Sequence, residues 1–192
     1  MILLLALLQA QTTGTRLLRE PTISATQVAF AYANDIWVVG RDGGQARRLT
    51  SFPGTESRPA FSPDGKWIAF TASYGGNPDV YVVSADGGEP KRLTWHPGAD
   101  AVAGWTPDGA NVLFFSGRDG VPVGTVRLWK VPVAGGNETP LPVASAGSAS
   151  LSADGTRLAY QHIVKWQDAW RNYRGGQAQP IWVVNLSDMA LT

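Results

Sequence analysis

The chain has 192 residues, enough for one sizeable core, and its 44% hydrophobic and 16% charged content is that of a folded protein. Net charge is +1 and no Lys/Arg run exceeds two residues, so the basic face that nucleic acid requires is missing. Cysteine is absent, which excludes disulfides and thiolate metal sites, while Gly 22, Pro 13 and Trp 8 point to the many turns and aromatic packing positions of an all-β protein.

The chain opens "MILLLALLQAQTTG". The apolar run Ile2 to Leu8 is too short to span a bilayer, which takes about 20 residues. It fits the apolar region of a weak signal peptide over residues 1–10, with Leu8-Gln9-Ala10 as a small-residue cleavage site, although the basic start of such a leader is missing. That predicts a periplasmic or secreted protein, with the cytoplasm as the alternative. Residues 11–20 read as a linker.

From there the chain repeats itself. "RRLT" ending at Thr50 recurs as "KRLT" ending at Thr94, and "DIWVV" at Asp35 recurs as "DVYVV" at Asp79, each 44 residues on. The second motif weakens to "RLWKV" at Arg127 and "PIWVV" at Pro180. Asp64-Gly65 recurs at Asp108-Gly109 and Asp154-Gly155, with spacings of 44 and 46. A period of this length marks a propeller or solenoid.

The clearest unit supplies four strand candidates, "RPAFS", "KWIAFTA", "DVYVVSA" and "PKRLT". The middle two are rich in β-branched and aromatic residues. Pro63-Asp64-Gly65-Lys66 joins the first pair: Pro presets the first turn torsion, Asp caps the turn, and Gly takes the positive φ. The Gly-Gly pairs at 43–44, 75–76, 87–88, 135–136 and 175–176 read as further turns, with no phosphate loop among them. Four such units, about 21–50, 54–94, 98–143 and 146–192, predict an incomplete all-β propeller of four-stranded antiparallel blades. The first unit replaces the Pro-Asp-Gly turn with "ISATQVAF", and the last strand of the fourth is barely begun. An open stack of four sheets leaves two faces uncovered. This predicts a longer chain or a covering partner.

The motifs "SRPAFSPDGKWIAF", "NPDVYVVSADGGEPKRLT" and "HPGADAVAGWTPDGANVLF" resemble the TolB-like propeller repeat. Their order, together with the insertion "WRNYRGGQAQPIWVVNL", is similar to the N-terminal, six-bladed propeller of the tricorn protease family, over about residues 17–192. The resemblance implies a chain of modules: two propellers, a PDZ-like domain and a serine-type peptidase domain, with the propellers channelling peptides. It implies peptides and the remaining domains as partners, with a homo-oligomer possible, and no cofactor. The catalytic domain has no counterpart here, so no catalytic residue is carried over.

Local chemistry is sparse. His96 and His162 fall in a loop and at a strand end without a nucleophile motif, and both read as packing residues. Asp64, Asp108 and Asp154 cap turns and lack calcium-loop spacing, so no metal is predicted. "NET" at Asn137 and "NLS" at Asn185 match the glycosylation pattern by chance. The insertion is the candidate contact site. Around Lys165, it gathers Trp166, Trp170, Arg171, Tyr173 and Arg174. Arg forks suit carboxylates and Trp anchors interfaces, while packing of the rings on a blade is the competing reading. Three functions remain open: a noncatalytic part of a tricorn-like peptidase, a stand-alone exported TolB-like interaction propeller, or the propeller of a prolyl-oligopeptidase-like or amidohydrolase-like enzyme.

Overall fold

The structure, a computed structural model, describes residues 17–162 and 180–191. Among the described residues, fifteen strands form four antiparallel sheets and no α-helix occurs. Sheet 1 holds β1 (Arg19–Ile23), β2 (Gln27–Tyr32), β3 (Asp35–Gly40) and β4 (Arg47–Arg48). Sheet 2 holds β5 (Glu56–Phe61), β6 (Trp67–Ala72), β7 (Asp79–Ser84) and β8 (Lys91–Arg92). Sheet 3 holds β9 (Asp100–Trp105), β10 (Asn111–Ser116), β11 (Arg127–Pro132) and β12 (Thr139–Pro140). Sheet 4 holds β13 (Ser148–Leu151), β14 (Arg157–Gln161) and β15 (Trp182–Asn185). Each sheet is a meander in sequence order, so the architecture is the partial propeller that the repeat predicts.

The sheets stack because the two middle strands of each carry apolar side chains on both faces. Along β6, Ile68, Phe70 and Ala72 face sheet 1, while Ala69 faces sheet 3. Along β10, Val112 and Phe114 face sheet 2, and Leu113 faces sheet 4. Three apolar clusters result, one per seam. Phe70 and Phe114 are fully buried, which is worth about 1.5–3 kcal/mol each. On sheet 1 the opposite face carries Phe30 and Trp37, by alternation with Ala29, Ala31, Ile36 and Val38 of the first cluster.

The fourth strand of each repeat is shorter than its motif. Only Lys91–Arg92 of "PKRLT" ladders as strand, although the Leu93 amide still bonds the Val80 carbonyl at 2.8 Å. In sheet 4 an isolated bridge between Val184 and Leu191 stands in the same register.

The Asp-Gly turns join neighbouring sheets as well as neighbouring strands. Asp64 Oδ1 accepts the Ser62 hydroxyl and the Lys66 amide, and Asp108 and Asp154 repeat the arrangement. Gly65, Gly109 and Gly155 take φ of 72°, 68° and 72°. A Cβ on Gly109 would lie 3.6 Å from Pro63 of the preceding turn, and one on Gly155 would lie 3.7 Å from Pro107. Pro of one sheet therefore seats against Gly of the next.

Candidate functional site

At the opposite end of the strands, a polar seam joins each sheet to the next. Asp35 opens β3 and is paired with Arg48 of β4 at 2.9 Å. Thr50, two residues past Arg48, accepts the Ile36 amide at 3.0 Å. One repeat on, Arg92 pairs with the fully buried Asp79 at 2.6 Å, and Thr94 accepts the Val80 amide at 3.0 Å. The recurring Asp…Arg-Leu-Thr pattern thus closes the outer strand onto the third. The hydroxyl accepts from a buried amide that the strand ladder leaves free. Burial pushes the Asp79 carboxyl up, against the pull of Arg92.

The first residue of the next inner strand completes the seam. Glu56 of β5 is 2% exposed. Its carboxylate accepts the Ile36 amide at 2.9 Å, the Thr50 hydroxyl and the Tyr74 hydroxyl. Burial raises its pKa above the ordinary value, although those three donors oppose the rise. The equivalent of Glu56 is Asp100, and the equivalent of Tyr74 is Arg118. There the contact becomes an ion pair, with Arg118 also reaching Glu138 at 3.5 Å and lying over Phe114 and Trp129 at 5.3 and 5.2 Å. Asp100 is one methylene shorter than Glu56, and its Oδ1 is buried without a hydrogen-bond partner. Backbone bonds from Glu56 to Asn34, Asp100 to Pro78 and Ala146 to Val126, at 3.0, 2.8 and 2.9 Å, tie each incoming strand to the preceding sheet.

Strands β1, β5, β9 and β13 form one edge of the stack, the side of a propeller that faces its axis. Glu20 and Arg58 hold equivalent bulge positions there, each before a proline and each with φ of 51°. Left-handed backbone at a non-glycine residue costs about 1–3 kcal/mol and concentrates where side chains are aimed for function. Glu20 Oε2 accepts the Arg58 amide at 2.6 Å, and the Arg58 side chain is exposed. Arg58 lines a groove of about 510 Å3 with His96, Ala101, Phe115, Arg118 and Gly147. Arg118 is spent on Asp100 and Glu138, so Arg58 is the exposed cation here, above an apolar floor, and its guanidinium suits backbone carbonyls or carboxylates.

Among the described residues no catalytic triad is assembled at the groove. His96 Nδ1 accepts the Gly98 amide at 2.9 Å, which stiffens the loop into sheet 3. Ser145 and His162 do bond each other, but Ser145 is 6% exposed. No carboxylate among the described residues orients the ring as a catalytic triad requires. No group of three His, Cys, Asp or Glu among the described residues could hold a metal ion. Trp166, Trp170, Arg171, Tyr173 and Arg174 lie outside the described residues, as do Lys165 and the candidate leader. Sequence reasoning missed Arg58 and Arg118. The signal for Arg58 was a charged residue before proline at one repeat position, Glu20-Pro21 and Arg58-Pro59. Arg118 carried none, because its repeat equivalent is a tyrosine.

Among the described residues no helix is long and apolar enough to cross a membrane. A family model described as the tricorn protease N-terminal beta propeller domain matches residues 15–192. Tricorn protease homolog 1 of Streptomyces coelicolor is 33% identical over 173 residues, which is 89% of this chain and 16% of that protein. A TolB homolog of Chlorobium luteolum is 43% identical over 54 residues, 28% of this chain and 12% of the relative. The crystal structure of the tricorn protease superposes with a TM-score of 0.70 and 28% identity, over 88% of this chain and 17% of that one. TolB from Acinetobacter baumannii shares the fold, with a TM-score of 0.67 and 24% identity over 91% of this chain and 42% of that one. The chain thus spans a small fraction of the tricorn proteins it matches, and it belongs to the family of tricorn protease N-terminal β-propeller domains.

Proposed function

We propose that this chain is a noncatalytic propeller portion of a tricorn-like serine peptidase, where it channels peptides and supports assembly with the remaining domains. Family membership across residues 15–192 is the observation that carries the reading. The strained, exposed Arg58 beside Glu20 supports it, because it puts charge on the axis-facing edge where a passing peptide would travel. The insertion residues Trp166, Trp170, Arg171, Tyr173 and Arg174 are proposed as a second contact, to peptide or to a neighbouring domain. Export is proposed on the strength of the leader-like residues 1–10.

The isolated chain should turn over no peptide. In the peptidase that contains this propeller, Arg58→Glu should change kcat/KM for long, acidic peptides several-fold. It should leave a minimal fluorogenic substrate unaffected. Equal rates for both variants on both substrates would remove the channelling role. A TolB-like stand-alone interaction propeller is the second reading, favoured by the 43% identity to a TolB homolog over 54 residues. A reading frame that stops shortly after a sixth blade, without a peptidase domain, would select it.

A further inference from the structure

The seam between sheets 3 and 4 contains a cleft lined by residues of both sheets. Phe61, Trp105 and Leu151 are repeat equivalents, each paired with the matching residue of the second strand: Ile68, Val112 and Leu158. Each points back into the seam with the preceding sheet. Phe61 joins the first apolar cluster, and Trp105 packs on the second, with its indole N–H bonding the Ala60 carbonyl at 2.8 Å. At the third seam the aromatic ring is replaced by Leu151. The outer clamp is lost as well. Arg47 bonds the Ala85 carbonyl across the first seam at 3.0 Å, and Lys91 bonds the Val133 and Ala134 carbonyls across the second at 2.9 and 2.8 Å. Their equivalent at the third seam is Thr139, too short and uncharged.

What remains is a cleft of about 470 Å3. Leu113, Leu141, Leu151 and Leu186 give it an apolar floor. Asp108, Asp154 and Lys130 stand at the rim. Each Asp spends Oδ1 on its own turn. Hydrogen bonds from Thr106 and Ser152 hold both carboxyls below their usual range, Asp154 at about 2, so both stay ionised. Two carboxylates against one ammonium leave the rim net negative.

We propose that this cleft is a docking site for a segment of another polypeptide in which an aromatic side chain is flanked by Lys or Arg. The ring takes the place that Phe61 and Trp105 occupy at the other seams, and the flanking cations meet Asp108 and Asp154. The assignment does not depend on the peptidase reading, since any partner with this chemistry fits.

The test uses the full chain with labelled leucine methyls and three capped tripeptides, Lys-Trp-Lys, Glu-Trp-Glu and Lys-Ala-Lys. The first should give saturable methyl shifts confined to Leu113, Leu141, Leu151 and Leu186. Because the flanking charges of the acidic peptide would face two carboxylates in place of pairing with them, it should bind about tenfold more weakly. Lys-Ala-Lys should produce no cleft shifts. Leu151→Trp supplies the missing ring from within and should abolish binding while melting no lower than the parent. Should that variant misfold, the pair Asp108→Asn and Asp154→Asn keeps both turn caps and should weaken Lys-Trp-Lys several-fold. Shifts outside the cleft, equal binding of all three peptides, undiminished binding by a folded Leu151→Trp, or no binding at all would overturn the proposal.

Discussion

Sheets 1 and 4 each meet one neighbour in the described stack, yet they are held by different means. Sheet 1 is fastened to sheet 2 by an aromatic side chain in the seam, by the buried Glu56, which bonds Ile36 and the Thr50 of the closed Asp35–Arg48–Thr50 end, and by the Arg47 clamp. Sheet 4 meets sheet 3 through a mainly aliphatic cluster on which Phe115 and Tyr160 pack, with Leu151 for the inner aromatic, Arg127, Pro140 and Pro142 for the Asp-Arg-Thr set, and Thr139 for the clamp. The fold tolerates the exchange, because apolar burial and the Ala146–Val126 backbone bond still stack the sheets. The polar and aromatic devices therefore set how firmly a seam closes.

The largest break in this comparison comes from the aromatic layer of the second strands. Phe70→Ala, which hollows a tight seam, should cost about 3–5 kcal/mol in denaturant unfolding. Its equivalent Tyr160→Ala, at a half-buried position beside the open seam, should cost clearly less. Equal losses would mean the third seam is as well packed as the first.

A second test exploits Glu56. Its raised pKa means that the folded protein keeps this proton to higher pH than the unfolded chain does. The associated stabilisation is full below the ordinary value of 4.5 and is lost as pH climbs through the raised one. Glu56→Gln should remove that part of the stability–pH profile and leave the opposite, low-pH loss caused by Asp154 in place. A profile unchanged by the substitution would show that Glu56 is not held in the seam. The smallest expected effect is a sharpening one. Thr139→Lys should install the missing clamp onto the sheet 4 turn and stabilise by no more than about 1 kcal/mol. A loss of stability would mean that the carbonyls of that turn are out of reach.

Much of this arrangement was legible in the sequence. The 44-residue spacing of Asp35 and Asp79, and of Thr50 and Thr94, reported the repeat, and strands such as β6 and β7 stood out by composition. The tricorn resemblance rested on the same motifs. The roles between repeats were harder to see. Nothing local says that Pro63 seats against Gly109, or that Arg47 reaches Ala85, since such contacts join residues about 40 apart. The swap of Tyr74–Glu56 for Arg118–Asp100 hides in positions that look variable one at a time. The short outer strands also escaped, because "KRLT" reads as four strand residues while Leu93 and Thr94 already turn toward the next sheet.

Native-state hydrogen exchange compares the two outer sheets most directly. Both have one described neighbour, so position in the stack does not separate them. The amides of β2 should exchange only through the highest-energy opening of the chain, while those of β14 should exchange through a smaller, local release of sheet 4. Protection of β14 equal to or greater than that of β2 would contradict the account that the seam devices, and not apolar stacking alone, decide how firmly each sheet is held.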